Sequence, residues 1–387
     1  MKNKVIAIIP ARGGSKGIPR KNIVNFAGKP LLAWSILQAK LSKMISAVYV
    51  TSDSLQILEI ATKYGALPIL RPKKISGDSD SSESALLHAL SHIKEKPDYI
   101  VFLQATSPLR KPGDIDNAIK KIIKQKADSL VSFIELREFI WSKSKDKFFS
   151  LTFDCKNRKR RQELEPLFRE NGSIFIFKPE ILKRLKNRIG AKMSAYIMEP
   201  WQKADIDDKV DLQYCEWLFW KYLAKVYGKY IFENIQLIVY DFDGVMTDNR
   251  VFIDKRGSEW VKVNRADGLA VSRIKEAGIK QVILSSEENQ VIKKRADKLG
   301  LPCLYGIANK KKALERYLEA NRISKDKVIF VGNDINDMEA MRYVGYPVAT
   351  NDANAEVKRI AKIVTEAKGG DGVIRELLDM FKAVSRQ

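Results

Sequence analysis

The chain has 387 residues, of which 45% are hydrophobic and 30% are charged, and its formal net charge at pH 7 is +22. This length allows two domains with substantial cores, and this composition is ordinary for a water-soluble globular protein. No apolar run reaches the roughly 18 residues of a membrane-spanning helix, and the N-terminus starts as a strand instead of a secretory leader, so we expect no membrane association. The three cysteines are scattered without metal-ligand spacing, which favours a reducing, cytoplasmic location.

So much positive charge can indicate a nucleic-acid-binding protein. However, no basic stretch of the sequence is interleaved with regularly spaced aromatic residues, and no zinc-finger or RNA-binding motif is present. We therefore expect no nucleic-acid partner, and we attribute the charge to lysine-rich solvated faces and to pockets for polyanionic substrates.

The chain opens with a short apolar run, Lys4 to Ile9, that predicts a buried parallel strand. The loop that follows, Pro10 to Asn22, contains three glycines, a serine and four basic side chains. Glycines let the backbone approach an anion closely, and the basic side chains supply positive charge. The loop therefore predicts a phosphate-binding site, although its spacing is neither that of an ATPase P-loop nor that of a dinucleotide-binding motif.

Helix and strand patterns alternate after this loop. The helical patterns cover Leu31–Leu41, Leu55–Tyr64 and Ser82–Ile93, and the strands cover Ala47–Thr51 and Tyr99–Leu103. Such alternation predicts a doubly wound parallel sheet, in which ligands bind at the carboxyl ends of the strands. The Pro10–Asn22 loop, Arg71 and Gln104 all follow strands, so we expect them at one site.

Two carboxylates, Asp205 and Asp207, stand two residues apart and would point to the same side of an extended strand. One interpretation is an acidic turn in which either residue caps the helix that follows. The other is a pair of oxygen ligands for Mg²⁺. Spacing alone leaves both interpretations open.

The aromatic-rich stretch Leu212–Tyr230 has the length of a helix, and we interpret it as the linker that closes the first domain. A second domain then begins at the apolar strand Leu237–Tyr240, which leads directly into Asp241 and Asp243. Further polar residues follow later elements of this half: Ser285, Lys310 and Asn333.

The first half resembles the acylneuraminate (sialic acid) cytidylyltransferases. Ala11–Asn22 carries the family's Ala-Arg-Gly-Gly-Ser-Lys-Gly-Ile-Pro-x-Lys-Asn pattern, and Arg160–Gly172 resembles the family's segment near the sugar-acid pocket. The resemblance implies that Asp205 and Asp207 bind Mg²⁺, which favours the metal interpretation, and that Lys21 assists the reaction. It also implies substrate contacts with CTP and a nine-carbon sugar acid at Arg12, Gly13, Ser15, Lys16, Asn22, Arg71, Ser82, Gln104, Arg169 and Asn171.

The second half resembles the haloacid-dehalogenase phosphatases, and Gly244-Val245-Met246-Thr247-Asp248 matches their sugar-acid (KDO-8-phosphate phosphatase-like) branch. The resemblance implies that Asp241 is the nucleophile and Asp243 the acid and base, with Ser285 and Lys310 holding the phosphoryl group. Mg²⁺ would be bound by Asp241, Asp243 and Asn333. Asn333 stands where most of that superfamily has an aspartate, so its amide oxygen would replace a charged ligand.

These observations predict two doubly wound α/β domains, a nucleotidyltransferase Rossmann-like fold in residues 1–227 and a haloacid-dehalogenase Rossmann-like fold in residues 231–387, joined by a linker helix at 212–230. The function they predict is Mg²⁺-dependent transfer of CMP from CTP to a nonulosonic acid, preceded by removal of its 9-phosphate. The sequence leaves open whether the acid is N-acetylneuraminic acid, KDN or a legionaminic-type acid. We expect a homotetramer assembled through the second domain, since Gly369–Glu376 resembles the tail of a tetrameric phosphatase branch. The alternative function of that domain is a catalytically weak tetramerisation scaffold, because Asn333 replaces the usual aspartate.

Overall fold

A computed structural model of the protein describes residues 3–77, 80–203 and 205–382. The chain forms two compact units that divide between Phe219 and Trp220. The division falls inside the segment 212–230 that was predicted to link the domains. Each unit has its own sheet and its own hydrophobic core, and each is described by itself below.

The first unit contains eleven strands and six helices among its described residues. The strands are β1 (Val5–Pro10), β2 (Asn25–Phe26), β3 (Lys29–Pro30), β4 (Ile45–Ser52), β5 (Leu67–Leu70), β6 (Tyr99–Leu103), β7 (Ser129–Leu136), β8 (Trp141–Ser144), β9 (Lys147–Ser150), β10 (Leu167–Phe177) and β11 (Met193–Met198). The helices are α1 (Leu31–Leu41), α2 (Leu55–Lys63), α3 (Ser82–His92), α4 (Asp114–Gln125), α5 (Pro179–Leu185) and α6 (Lys209–Tyr222).

Seven of these strands form one twisted sheet in the order β11-β7-β10-β6-β1-β4-β5. All neighbours in it are parallel except β10, which runs antiparallel to both β6 and β7. The central strand β1 is buried on both sides, since its β-branched side chains pack into two separate core clusters, one on each face. This arrangement brings the ends of β1, β4 and β6 to the same edge of the sheet, where the sequence predicted a ligand site.

The second unit contains the remaining elements. Its strands are β12 (Leu237–Tyr240), β13 (Thr247–Ile253), β14 (Glu259–Val263), β15 (Lys280–Leu284), β16 (Cys303–Leu304), β17 (Val328–Gly332), β18 (Tyr346–Ala349) and β19 (Ile363–Val364). Its helices are α7 (Gly228–Ile231), α8 (Arg265–Glu276), α9 (Gln290–Leu299), α10 (Lys310–Ala320), α11 (Met338–Tyr343), α12 (Ala355–Ile360) and α13 (Val373–Lys382).

Six strands of the second unit form a wholly parallel sheet in the order β16-β15-β12-β17-β18-β19. Because β15, β12 and β17 are adjacent, the residues that follow them meet at one edge. The strands β13 and β14 form a separate antiparallel hairpin. The predicted fold class, two α/β domains with doubly wound, mostly parallel sheets, is confirmed.

The single helix predicted over 212–230 is wrong. The chain forms α6, which ends at Tyr222, and then the short α7. Tyr227 and Phe232 flank α7 and are almost fully buried. Between α6 and α7 the chain leaves the helical path and both aromatic side chains are buried. Tertiary packing of this kind can override a helical sequence pattern.

None of the helices in the described part of the chain combines the length and the apolar character needed to cross a membrane.

Candidate active sites

The first unit has a cavity of about 600 Å³ at the carboxyl edge of its sheet. Its wall is built from the loop after β1, the segment after β5, the start of α3, the residues after β6 and a stretch before α6. The predicted site residues that line it are Arg12, Ser15, Lys16, Lys21, Asn22, Arg71, Ser82, Gln104, Asp205 and Asp207. The structure therefore brings together most residues that were selected from separate parts of the sequence.

The phosphate-loop candidate, Pro10–Asn22, is held in shape by a hydrogen bond within the loop and by one to the segment before α3. Asn22 is buried, and its Nδ2 donates to the carbonyl oxygen of Arg12 at 2.9 Å. Arg12 donates in turn to the carbonyl oxygen of Gly77 at 3.0 Å. Such internal hydrogen bonds pre-organise a loop, so less conformational entropy is lost when it binds an anion.

Gly13 differs from its predicted role. Its backbone N–H donates to Asp53 Oδ1 at 2.9 Å, and Gly13 is not among the residues that line the cavity. The loop is therefore anchored to the end of β4 through this amide, which is already satisfied by a carboxylate.

Lys21 connects the loop to the acidic stretch before α6. Its Nζ donates to the carbonyl oxygen of Ile206 at 2.7 Å and to Asp207 Oδ1 at 2.9 Å. The Lys21 side chain is mostly buried, whereas that of Asp207 is 79% exposed. The charged end of Lys21 thus lies beside a carboxylate that remains accessible from solvent.

The neighbouring residue Asp208 decides between the two interpretations of Asp205 and Asp207, a helix cap or a pair of metal ligands. Asp208 Oδ1 accepts hydrogen bonds from the backbone N–H groups of Val210 and Asp211, at 2.7 and 2.9 Å. Asp208 therefore caps the start of α6. Asp205 and Asp207 both line the cavity, so two carboxylates are available there for a cation.

Arg169 and Asn171, which the resemblance placed at the substrate, do not line this cavity. Arg169 is exposed on β10, opposite Ile134. Asn171 is buried, where its Oδ1 accepts from Ser132 at 2.6 Å and its Nδ2 donates to the carbonyl oxygen of Gln202 at 3.1 Å. Both ends of its amide are engaged by protein groups, and Asn171 is not among the residues that line this cavity.

Sequence reasoning missed part of the cavity wall. Small and polar residues of the segment before α3, together with Thr106, also line it: Ser76, Gly77, Asp80 and Ser81. The clustering of hydroxyl groups just before a helix was the available signal. It was weak, because serines at such a position are also ordinary helix caps, and Ser81 does cap α3.

The second unit has a smaller cavity, about 130 Å³, at the carboxyl edge of its own sheet. All of the predicted residues line it: Asp241, Asp243, Ser285, Lys310 and Asn333. The residues that sequence reasoning did not select are Asn249, Ser286, Glu287, Asp334 and Asn336. Each of these lies within a few residues of a selected one, apart from Asn249, which belongs to β13.

A buried ion-pair network lies at the base of this cavity. Lys310 Nζ is 2.8 Å from Asp241 Oδ1 and 2.7 Å from Asp337 Oδ1, and all three side chains are nearly inaccessible. Burial lowers the pKa of Lys310, but the two carboxylates outweigh that effect and the net shift is upward. Lys310 therefore stays charged, and it supplies a fixed positive charge at the site.

Asp241 has one oxygen engaged by the protein. Its Oδ1 accepts from Lys310 and from the N–H of Phe242 at 2.7 Å, which leaves Oδ2 as the oxygen able to face the cavity. Burial raises the pKa of the Asp241 carboxyl to about 8; the negative charge of Asp337 adds to this rise and Lys310 opposes it. Asp241 and Asp337 together carry more negative charge than Lys310 can neutralise. A bound cation would correct this imbalance.

Asp243 also lines this cavity. Its Oδ1 accepts a hydrogen bond from Thr247 Oγ1 at 3.2 Å, and Thr247 itself is fully buried. Burial raises the pKa of Asp243, Thr247 lowers it in part, and the nearby carboxylate of Glu287 raises it further. An oriented carboxyl with a raised pKa suits proton transfer.

Asn333 is oriented by a close contact with Gly244. A Cβ on Gly244 would lie only 1.8 Å from Asn333 Nδ2, and Gly244 has a φ of +73°, so only glycine fits. The Asn333 Oδ1 atom is buried and accepts no hydrogen bond from the described residues. An amide oxygen of this kind beside two carboxylates fits a divalent cation. Within the described ranges, no group of three or more His, Cys, Asp or Glu side chains is arranged to hold a metal ion.

Each of the two units matches a known protein class, a cytidylyltransferase in the first and a haloacid dehalogenase-like hydrolase in the second. Residues 6–187 match the family model described as cytidylyltransferase, and residues 305–377 match the one described as haloacid dehalogenase-like hydrolase. A solved structure of a putative HAD family hydrolase from Streptomyces avermitilis is 43% identical, covering 40% of this chain and 88% of that one, with a TM-score of 0.39.

Relatives extend over almost the whole chain. N-acylneuraminate cytidylyltransferase A of Danio rerio is 30% identical over 382 residues, 97% of this chain and 88% of that protein. The N-acylneuraminate cytidylyltransferase of Escherichia coli is 37% identical over 220 residues, 55% of this chain and 51% of that protein. The chain therefore belongs to the N-acylneuraminate cytidylyltransferase family.

Proposed function

We propose that the first unit transfers CMP from CTP to a nonulosonic, sialic-type acid and releases pyrophosphate. The observation that carries this proposal is the single cavity in which the cations of the Pro10–Asn22 loop face Asp205 and Asp207. A triphosphate needs positive charge along its length, and carboxylates near it suit a bridging cation. Family membership supports the same reaction.

In this reaction the anomeric hydroxyl oxygen of the acid attacks the α-phosphorus and its proton is released to water, while the bond from the α-phosphorus to the bridging oxygen of pyrophosphate breaks. Arg12, Ser15, Lys16 and Lys21 bind and neutralise the triphosphate, while Asn22, Arg71, Ser82 and Gln104 position the nucleotide and the sugar acid. Asp205 and Asp207 would hold Mg²⁺. When bound, Mg²⁺ supplies charge stabilisation to the α-phosphate and the leaving pyrophosphate.

We propose that the second unit removes the phosphate from the 9-phosphorylated form of the same acid. Asp241 Oδ2 attacks phosphorus to give an aspartyl phosphate, and Asp243 protonates the departing sugar oxygen. Asp243 then takes a proton from the water that hydrolyses the aspartyl phosphate. Ser285 and Lys310 hold the phosphoryl oxygens throughout.

Asp241, Asp243 and Asn333 Oδ1 would hold Mg²⁺ in this second cavity. The buried, unsatisfied amide oxygen of Asn333 and the excess of carboxylates support this assignment. When bound, the cation supplies charge neutralisation to the phosphoryl group. We place both reactions in the cytoplasm, in agreement with the free thiols of Cys155, Cys215 and Cys303.

A second candidate function for this unit is a tetramerisation scaffold with weak catalysis. The neutral Asn333 in the cation position favours it. So does the β13–β14 hairpin, where Phe252 and Trp260 are cross-strand partners and are 69% and 65% exposed. Exposed aromatic pairs on a hairpin are suited to a contact with a second copy. We infer a homotetramer assembled through this unit.

One panel of substrates tests these proposals. N-acetylneuraminic acid, KDN and a legionaminic-type acid, each free and 9-phosphorylated, are incubated with CTP and Mg²⁺, and pyrophosphate and orthophosphate are measured separately. We expect pyrophosphate from at least one free acid, and both products from its 9-phosphate. If no 9-phosphorylated acid releases orthophosphate, the phosphatase proposal is refuted and the scaffold function is supported. Pyrophosphate missing from every acid would refute the transferase.

A further inference from the structure

Arg110 ends the segment that follows β6, Gln104–Arg110, and its side chain is completely buried, with 0% exposure. Burial of a permanent charge is unfavourable unless hydrogen bonds replace the lost water. A guanidinium offers five N–H donors in a rigid plane. The positions of its acceptors therefore identify what this side chain holds in place.

The Arg110 donors reach three separate parts of the first unit. On α1, Nη1 donates to Ser35 Oγ and Gln38 Oε1, both at 3.0 Å. On β10, Nε and Nη2 donate to the carbonyl oxygen of Ser173 at 3.1 and 2.7 Å. Nη2 also donates to the carbonyl oxygen of Gln104 at 2.8 Å. Arg110 thus joins a helix, an antiparallel strand and the end of β6 at one point.

Gln104, held in this way, lines the cavity. Its carbonyl oxygen also accepts from Ser35 Oγ at 3.3 Å, so the backbone at this position is fixed from two sides. The Gln104 side-chain oxygen packs against Gly172, the neighbour of the same Ser173 that Arg110 binds. Arg110 therefore sets the distance between Gln104 and the strand behind it, which in turn sets where the Gln104 amide faces the cavity.

The same segment supports the carboxylate stretch. The carbonyl oxygen of Thr106 accepts from the N–H of Ile206 at 3.0 Å, and Ser107 Oγ donates to Asp205 Oδ1 at 3.3 Å. A shift of the Gln104–Arg110 segment would therefore move Asp205 as well as Gln104.

We infer that Arg110 is a positioning residue for CMP transfer, which fixes Gln104 and Asp205 relative to one another without touching substrate. This inference rests on the proposed transferase function. This positioning role requires the geometry of the Arg110 donors and not only their charge. Arg110→Lys is therefore the informative variant, because it keeps the positive charge but loses the planar fork of donors. Displacement of reacting groups by about 1 Å lowers turnover strongly even when folding is intact.

The test uses the full-length protein and a matched control, Leu182→Ala, which truncates a fully buried core residue of α5 away from the cavity. For Arg110→Lys we expect kcat for CMP transfer to fall by about tenfold or more, and KM for the acid to rise more than KM for CTP. Leu182→Ala should lower the melting temperature but leave both KM values unchanged. Arg110→Lys with kinetics like those of this control would overturn the inference and leave the transferase proposal standing.

Hydrogen–deuterium exchange supplies a readout that does not need activity. In Arg110→Lys, amides of residues 104–110 and 205–207 should exchange faster than in wild type, while Leu182→Ala should leave these two segments unchanged. Unaltered exchange there in Arg110→Lys would also overturn the inference. If wild type transfers no CMP at all, the transferase proposal fails and the role of Arg110 in CMP transfer fails with it, whereas the exchange comparison still shows whether Arg110 holds the two segments in place.

Discussion

The carbonyl oxygen of Asp207 occupies the space that a side chain on Gly17 would need. A Cβ on Gly17 would lie 2.1 Å from that oxygen, well inside van der Waals contact. The loop after β1 and the acidic stretch before α6 therefore touch through backbone atoms. Lys21 joins the same two segments through its hydrogen bonds to Ile206 and Asp207. The cations and carboxylates of the proposed CTP site line one cavity beside this contact.

Gly17→Ala should separate the loop from Asp207. We expect CMP transfer to fall by about tenfold or more, since the reacting groups no longer converge. Steady-state measurement of pyrophosphate release checks this. Gly14→Ala is the matched control, because a Cβ on Gly14 meets nothing within 4 Å. If both variants retain activity equally, the backbone contact is not required.

Asp207→Ala should abolish CMP transfer and spare the phosphatase reaction. Loss of a metal ligand removes charge stabilisation, with an expected decrease in kcat of about a hundredfold or more. Asp208→Ala, in which the cap of α6 is lost instead, should lower stability by about 1 kcal/mol but keep transfer. Near-parental transfer by a folded Asp207→Ala protein would contradict the assignment of the metal.

Asp241→Asn should block the route from the 9-phosphate and leave use of the free acid intact. The change removes the nucleophile and nothing in the cavity of the first unit. The measurement is orthophosphate release and CMP-sugar formation from both forms of one acid. Asp254→Asn makes the same chemical change on the exposed hairpin and should have no effect. Continued phosphate release by Asp241→Asn would show that another group attacks phosphorus.

Asn333→Asp should restore a charged ligand and lower the Mg²⁺ concentration needed for half-maximal phosphatase activity. Asn333→Leu should raise that concentration by about 10- to 100-fold, because the amide oxygen is lost. Titration of orthophosphate release with Mg²⁺ measures both. Identical Mg²⁺ dependence in all three proteins would remove Asn333 from the cation site. Activity that appears only in Asn333→Asp would mean that this one residue silences the wild-type domain.

Phe252→Ser combined with Trp260→Ser should weaken the proposed tetramer, since both side chains are exposed on one face of the hairpin. We expect light scattering at micromolar concentration to detect smaller species for this variant. Lys255→Ser, a polar change at the tip of the same hairpin, should leave assembly unaltered. A wild-type monomer under these conditions would refute the tetramer.

Sequence alone determined the parts of this protein that depend on local pattern. Buried parallel strands are continuous apolar runs, so β1, β6 and β12 were located by composition, and the polar residues after them had to lie at one edge of a sheet. That reasoning placed the Pro10–Asn22 loop, Arg71 and Gln104 at one site. The two family resemblances supplied the other predicted side chains, and all the predicted residues together make up about half of those that line the two cavities. Lys310 lies far along the chain from Asp241, and their meeting was predicted only because the second half resembles the haloacid-dehalogenase phosphatases.

Only the tertiary structure decided which polar groups are already engaged by the protein. Asn171 resembles a substrate contact in sequence, but partners 39 and 31 residues away consume its amide. Asp208, not Asp207, caps α6, and Arg110 is a buried anchor rather than a surface cation. Hydrogen-bond partners so distant in sequence leave no periodic signal, because periodicity reports only which face of an element is apolar.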